Sequence, residues 1–139
     1  MPQIDVHARS LAPPQRVWSL LADTRSWAQW APLDEITVED GQGVGEVRRV
    51  RSGRITTVER VTALEPPRRY VYEILSGLPI RGYVAEVVLS PATGDGTDIR
   101  WRSTFRTRVP GTGWAIQRLV HRTIRKGAIA LARAAERQP

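Results

Sequence analysis

The sequence predicts an α+β fold in which a curved, seven-stranded antiparallel sheet surrounds one long C-terminal helix, with two short helices between strands one and two. Two observations lead to this prediction. In most of the chain, short segments of alternating apolar and polar residues are separated by turn residues, which is typical of strands with one buried face. From Trp114 onward the apolar residues recur at helical spacing instead, which indicates a long amphipathic helix.

The N-terminal part of the chain predicts the first strand and both short helices. Apolar and polar residues alternate over residues 3–10, which predicts the first strand. Pro13 and Pro14 mark a helix start, and apolar residues at helical spacing follow them. A second helix is predicted to carry Trp27 and Trp30 and to end before the next proline, because proline disfavours helical geometry in the preceding residue.

Six further strands are predicted in the middle of the chain, over residues 35–39, 45–51, 55–64, 69–75, 83–89 and 98–107. The separators are short and rich in glycine and proline, which favours hairpins and therefore an antiparallel meander. A helix over residues 114 to about 137 follows, with an apolar stripe opposite a basic face. One helix can cover the concave face of seven strands only if the sheet curls, and we expect a space for a small ligand between them.

Length and composition restrict the classes of protein to which the chain can belong. The 139 residues fit a single domain spanning 1–139, and 41% hydrophobic with 25% charged residues is typical of a globular protein. No long apolar run or signal peptide is recognisable, so we expect a cytoplasmic protein. Cysteine is absent, which excludes disulfides and thiolate chemistry. The net charge of +7 comes almost wholly from arginine.

Metal and classical hydrolase chemistry are not predicted. His7 and His121 are the only histidines, and neither has a partner at metal-ligand spacing. No G-x-S-x-G motif occurs, and neither histidine is near an evident nucleophile. We therefore expect no metal and no cofactor.

Several segments, in this order and at this spacing, carry a resemblance that covers essentially the whole chain. They are VWSLLAD and WAQWAP within residues 17–32, GVGEVRR at 43–49, ERV and EPPRRYVY within 59–72, GTDIRW at 96–101 and PGTGW at 110–114. With them the chain resembles the polyketide cyclase and lipid-transport superfamily, also called START-like, Bet v 1-like or SRPBCC. The resemblance implies a helix-grip fold with a hydrophobic pocket, and it implies that Trp27 lies at the pocket mouth. Family members include aromatase-cyclases, lipid carriers, ligand sensors and quinone-binding proteins, so the fold leaves the function open.

Aromatic side chains on the predicted sheet and helix pair are candidates for stacking on a planar ligand, although packing in the core is the commoner role of such residues. The candidate ligand-binding residues are Trp27, Trp30, Tyr70, Tyr83, Trp101 and Phe105.

Polar residues at inward strand positions are the candidates for chemistry, because burial of a charge is costly unless the charge is paired or functional. Strand alternation places Glu59 on the face of Val61, Tyr72 on the face of Tyr70, and Arg49 inward as well. Arg49, Glu59 and Tyr72 are therefore the candidate catalytic residues: the arginine would polarise a carbonyl, and the glutamate or tyrosine would move a proton. A structural salt bridge is the alternative, and a one-residue bulge would reverse each assignment.

Two functions follow from these patterns. The first is binding of a hydrophobic or aromatic small molecule, polyketide- or lipid-like, with cyclisation or dehydration as the cofactor-free chemistry that such a site could support. The alternative is a carrier or accessory protein whose basic last helix docks on a membrane or a protein partner. No nucleic-acid motif accompanies the basic charge, and a solvated helix face also accounts for it. Both a monomer and a homodimer are compatible with the sequence.

Overall fold

The computed structural model describes residues 3–137 and confirms the predicted architecture. Seven strands form one antiparallel sheet in the order β1-β7-β6-β5-β4-β3-β2, so that β2 to β7 form a meander and β1 pairs with β7. The strands are β1 (Gln3–Ser10), β2 (Glu35–Asp40), β3 (Val47–Ser52), β4 (Ile55–Glu65), β5 (Arg69–Ser76), β6 (Ile80–Pro91) and β7 (Thr97–Thr107).

Three α-helices accompany the sheet, at α1 (Pro14–Ala22), α2 (Trp27–Trp30) and α3 (Gly113–Arg137). Pro14 opens α1, as the two prolines predict, because proline has no amide hydrogen to lose at a helix start. A single 3₁₀ turn, Thr24–Ser26, leads directly into α2. No helix in residues 3–137 is long and apolar enough to cross a membrane.

Strand β6 begins earlier than residues 83–89 predict. It starts at Ile80 and continues through a register shift between Arg81 and Val84 in its pairing with β7. Gly82 lies inside this shift with a φ of +61°, a conformation that glycine adopts without steric cost. Gly82 is therefore part of a bulge, and the strand continues through it.

The alternation predicted for β7 is confirmed. Ile99, Trp101 and Phe105 are buried on the inner face, whereas Arg100 lies on the outer face and pairs with Asp5 of β1. The face of the sheet toward α3 is therefore apolar, and the opposite face is exposed to solvent and carries ion pairs.

Helix α3 packs on the inner face through small residues. Gly127 allows close packing, since a Cβ built there would lie 3.5 Å from the ring of Trp101. Ala128, the next residue, and Leu131, one turn further along, are fully buried, while Leu119 near the helix start is 40% exposed. The C-terminal half of α3 is thus sealed against the sheet, and the N-terminal half leaves space beneath it.

Candidate functional site

A cavity of about 230 Å³ lies in the space between the first half of α3, the segment that follows α2, and the inner faces of β3 to β7. Most of its wall is aliphatic or aromatic. The lining residues are Trp27, Trp30, Ala31, Pro32, Leu33, Val50, Ser52, Ile55, Thr57, Glu59, Tyr72, Ile74, Leu78, Tyr83, Trp101, Leu119, Val120, Thr123, Ile124 and Gly127.

Exposed apolar side chains mark the mouth of this cavity. Ile55 at the start of β4 is 36% exposed and Leu119 of α3 is 40% exposed, and both line the cavity. Leu33 and Leu78, each partly buried in a loop, complete the apolar rim. The rim that these four residues form is therefore apolar.

The structure places Arg48, which the sequence reasoning did not select, at the centre of the buried polar groups behind this wall. Its side chain has no exposed surface. The Nε donates to Oε1 of Glu59 at 3.0 Å, and Nη1 donates to the hydroxyl of Tyr70 at 2.6 Å. The guanidinium also lies over the Trp27 ring, 4.2 Å from its centroid. Burial alone would lower the pKa of Arg48, but the neighbouring Tyr70 and Glu59 raise it overall, so the cation is retained.

The inward placement of Arg49 was wrong by one residue. Arg49 lies on the outer face, where its Nε donates to Glu39 of β2 at 2.5 Å and its side chain is 52% exposed. The β3–β4 hairpin explains the difference, because Ser52 pairs with Ile55 and leaves a two-residue loop. Counting back from the hairpin loop pairs Arg48 with Glu59. From this spacing the inward position of Arg48 could have been predicted, because paired residues lie on the same face of a sheet.

Glu59 is inward, as strand alternation placed it, and its carboxylate reaches the cavity. The side chain is 12% exposed and belongs to the lining. Oε1 is engaged by Arg48, whereas Oε2 has a contact of 3.4 Å from the Thr57 hydroxyl. One oxygen of the carboxylate is thus held by the protein, and the other has capacity left for a further donor.

Tyr72 also lines the cavity, on the strand next to Glu59. In the β4–β5 register Glu59 pairs with Ile74 and Tyr72 pairs with Val61, so Glu59 and Tyr72 are diagonal neighbours on one face. Trp101 Nε1 lies 3.3 Å from the Tyr72 hydroxyl and donates to it. Burial raises the pKa of Tyr72 well above its ordinary value. The phenol therefore stays protonated at neutral pH and acts as a donor.

The six candidate ligand-binding aromatics divide into two groups. Trp27, Trp30, Tyr83 and Trp101 line the cavity, whereas Tyr70 and Phe105 are each 1% exposed and lie outside the lining. Tyr70 accepts from Arg48, and Phe105 stacks on Tyr83 with the ring centroids 6.0 Å apart. Tyr70 and Phe105 thus support the wall from behind.

Trp27, the first residue of α2, connects α2 to α1. Its indole Nε1 donates to the carbonyl of Leu21 at 3.0 Å, and its ring is 5.1 Å from that of Trp30. The side chain is only 6% exposed, so it forms part of the wall and little of it reaches solvent.

Possible metal ligands are scattered in the part of the chain that the structure describes. Within residues 3–137 no group of three or more histidine or acidic side chains is arranged to hold a metal ion. His7 is 69% exposed on the outer face of β1, and His121 is exposed on α3. The side chains of the cavity offer a carboxylate, which accepts a proton, and a phenol, which donates one.

Together, the curved sheet, the long helix and the apolar cavity define a START-like protein of the helix-grip class. A sequence model of one family, described as polyketide cyclase / dehydrase and lipid transport, matches residues 1–136. The chain therefore belongs to this polyketide cyclase/dehydrase and lipid transport family.

Several solved structures share this fold. The protein XoxI from Bacillus cereus is 23% identical, with a TM-score of 0.84 over 96% of this chain and 95% of that one. The ZhuI aromatase/cyclase from Streptomyces sp. R1128 is 22% identical, with a TM-score of 0.84 over 97% of this chain and 93% of that one. A START superfamily protein from Mycobacterium smegmatis is 15% identical, with a TM-score of 0.80 over 96% and 97%. The comparison with curated proteins finds no match.

Proposed function

We propose that this protein binds a hydrophobic, aromatic small molecule, polyketide- or lipid-like, in the cavity beneath α3. The observation that carries the proposal is the composition of the wall, in which five aromatic side chains and a set of aliphatic side chains surround one carboxylate. Such a surface favours a flat apolar ligand, since burial of apolar area gives roughly 25 cal/mol per Å². Family membership supports the same proposal.

The indole N–H resonances of the five tryptophans provide a direct test. Titration with naphthalene, a flat neutral hydrocarbon, should shift the resonances of Trp27, Trp30 and Trp101, which line the cavity. Trp114 is 67% exposed and outside the cavity, so its resonance serves as the internal control. If naphthalene shifts no cavity tryptophan, or shifts Trp114 alone, the protein does not bind apolar ligands in this cavity.

The positions of Glu59 and Tyr72 support a catalytic form of this function. Glu59 would remove a proton from a substrate carbon that lies between two carbonyls. The resulting enolate would attack a further carbonyl of the same substrate molecule. Tyr72 would protonate the new alkoxide, and proton exchange with solvent would then restore both groups. For water loss, Glu59 would remove the remaining proton beside the carbonyl, and Tyr72 would protonate the hydroxyl that leaves as water. No cofactor enters this sequence, because cavity shape and two proton-transfer groups suffice for cyclisation and dehydration.

Turnover of a synthetic linear poly-β-ketone separates the enzyme from a carrier. Glu59→Gln and Tyr72→Phe should each lose activity while keeping the naphthalene-induced shifts of the cavity tryptophans. Arg49→Met is the matched control, because Arg49 lies on the outer face. Turnover no faster than in the absence of the protein would leave binding without catalysis. Equal activity in all three variants and the unchanged protein would show that Glu59 and Tyr72 are not the catalytic groups.

The first half of α3 supports the alternative function, a carrier or accessory protein that docks on a surface. Trp114 is 67% exposed and lies beside Arg118 and His121. Five basic residues on the outer side of this helix have no salt bridge within residues 3–137: Arg118, Arg122, Arg125, Lys126 and Arg133. An exposed indole with adjacent cations is suited to an anionic lipid surface.

Co-sedimentation with vesicles tests this alternative. Binding to vesicles containing phosphatidylserine should weaken steeply as ionic strength rises and should fall in the double variant Arg118→Gln/Arg122→Gln. Arg60→Gln/Arg100→Gln is the matched control, because both arginines are paired on the outer face of the sheet. Binding that is insensitive to salt, or lost equally in both double variants, would contradict docking through α3.

A further inference from the structure

We propose that Glu59 sets the chemical class of the ligand: the cavity accepts neutral molecules with a hydroxyl that donates to Glu59 Oε2, and it excludes carboxylate anions. This inference rests on the proposed binding function and adds to it a rule for charge and hydrogen bonding. It separates hydroxylated aromatic ligands from free fatty acids and aromatic acids of the same size.

The two carboxylate oxygens of Glu59 differ in their hydrogen-bond partners. Arg48 engages Oε1, to which its Nε donates at 3.0 Å, and Nη2 lies 3.0 Å from the same oxygen as an ion-pair contact without a hydrogen bond. The only donor to Oε2 in the described residues is the Thr57 hydroxyl, at a long 3.4 Å. A carboxylate oxygen accepts two hydrogen bonds readily, so Oε2 is left with unused acceptor capacity at the cavity wall.

The charge that faces the cavity is negative. Glu59 is the only charged residue in the lining, and Arg48 is absent from it because the rings of Trp27 and Tyr72 lie on the guanidinium at 4.2 and 5.2 Å from their centroids. The positive charge is therefore screened from a ligand, while a negative one is presented to it.

A ligand carboxylate and a ligand hydroxyl differ in the free energy of placing them beside Glu59. A carboxylate brought beside Glu59 would lose its hydration and find no cation in the wall, which is strongly unfavourable. A hydroxyl in the same place exchanges a bond to water for a bond to a carboxylate, and bonds to charged groups are the stronger kind. A hydroxyl donor should therefore improve affinity by about tenfold or more over an ether of the same shape.

Four naphthalene derivatives of nearly equal size test this rule through the tryptophan resonances. They are naphthalene itself, 2-naphthol as a neutral donor, 2-methoxynaphthalene as an acceptor without a donor, and 2-naphthoate as an anion. We expect 2-naphthol to bind about tenfold more tightly than 2-methoxynaphthalene, and 2-naphthoate to bind most weakly.

Three variants assign the preference to Glu59. Glu59→Leu combined with Arg48→Met removes the ion pair without leaving one charge buried, and it should bind 2-naphthol and 2-methoxynaphthalene equally. Glu59→Gln should reduce the preference and relax the exclusion of 2-naphthoate. Glu39→Gln, on the outer face beside Arg49, is the matched control and should keep the full preference.

The outcomes distinguish this inference from the proposed function. If naphthalene fails to bind, the proposed function itself is wrong. If naphthalene binds but 2-naphthol is no tighter than 2-methoxynaphthalene, the cavity is confirmed and the role of Glu59 is overturned. A preference for 2-naphthol that survives in the double variant, or tight binding of 2-naphthoate, overturns it as well.

Discussion

The guanidinium of Arg48 lies 4.2 Å from the centroid of the Trp27 ring, with Glu59 bound to its edge at 3.0 Å. One fully buried cation therefore connects three elements: β3, which carries it, β4, which carries the carboxylate, and α2, which carries the ring. This contact fixes the aromatic wall and the acidic group of the cavity relative to each other.

Removal of Arg48 should destabilise the fold far more than removal of its neighbour. Arg48→Met leaves the Glu59 carboxylate buried without its partner, which typically costs about 3–5 kcal/mol. Arg49→Met breaks only an exposed pair with Glu39, worth at most about 1 kcal/mol. Urea unfolding measures both free energies, and Arg48→Met/Glu59→Leu should recover much of the loss. Equal costs for the two single variants would show that Arg48 is not the buried partner.

Substitutions at Gly127 should separate stability from binding. A Cβ at this position meets the Trp101 ring at 3.5 Å, an ordinary contact, so Gly127→Ala should stabilise α3 by about 1 kcal/mol and leave naphthalene binding intact. Gly127→Leu fills the cavity and should abolish the tryptophan shifts while costing roughly 1–3 kcal/mol. Lys126→Leu adds the same side chain at an exposed position of the helix and should affect neither. Unchanged binding in Gly127→Leu would place the ligand elsewhere.

The tyrosines should resist ionisation as long as the protein is folded. The chain has three, Tyr70, Tyr72 and Tyr83, and burial raises the pKa of each, that of Tyr83 to about 12. Because the unfolded chain ionises near pH 10 and the folded one higher, the stability these groups contribute is complete below pH 10. It is lost as the pH rises toward 12.

Tyrosinate absorbance during an alkaline titration checks this. In the folded protein it should appear together with unfolding, followed by circular dichroism, whereas in urea it should appear near pH 10. A folded protein with one tyrosinate at pH 10 would contradict the buried placement of that ring.

Glu86 should give the outer face a stability that depends on acid pH. Hydrogen bonds from Arg69 and then Arg102 hold the pKa of Glu86 below its ordinary value of 4.5, and together they outweigh the effect of burial. A lowered folded pKa means that this stability is present above pH 4.5 and is lost as the pH falls through the folded value. The stability gap between the unchanged protein and Glu86→Gln should thus be largest near neutrality and shrink in acid. Urea midpoints at several pH values measure it, and a gap that widens in acid would contradict the pairing.

Most of the fold could be predicted because its elements are local. Period-two alternation and glycine turns located all seven strands, and the two prolines before α1 located its start. Strand β6 was predicted too short, because a bulge at Gly82 and a turn at a glycine look the same in sequence. The distinction depends on whether the neighbouring strand is present to continue the pairing.

The site was only partly predictable, and Arg48 and Arg49 show why. Both are arginines in the same strand, and alternation alone states only that they face opposite sides. Which side is inner depends on the register with β4, where the two-residue loop at Gly53 sets Arg48 opposite Glu59. A single-residue difference in that loop would exchange the buried arginine and the exposed one.

The sequence by itself determined the order of elements, the period of each, and the apolar character of the inner face, because these depend on neighbours along the chain. Only the tertiary structure decided which side chains line the cavity and which lie behind it. Glu59 reaches the ligand space, whereas Tyr70 and Phe105 do not. The physical reason is that the cavity forms where β3 to β7, α2 and the first half of α3 fail to fill the space between them, and that depends on distances across the fold.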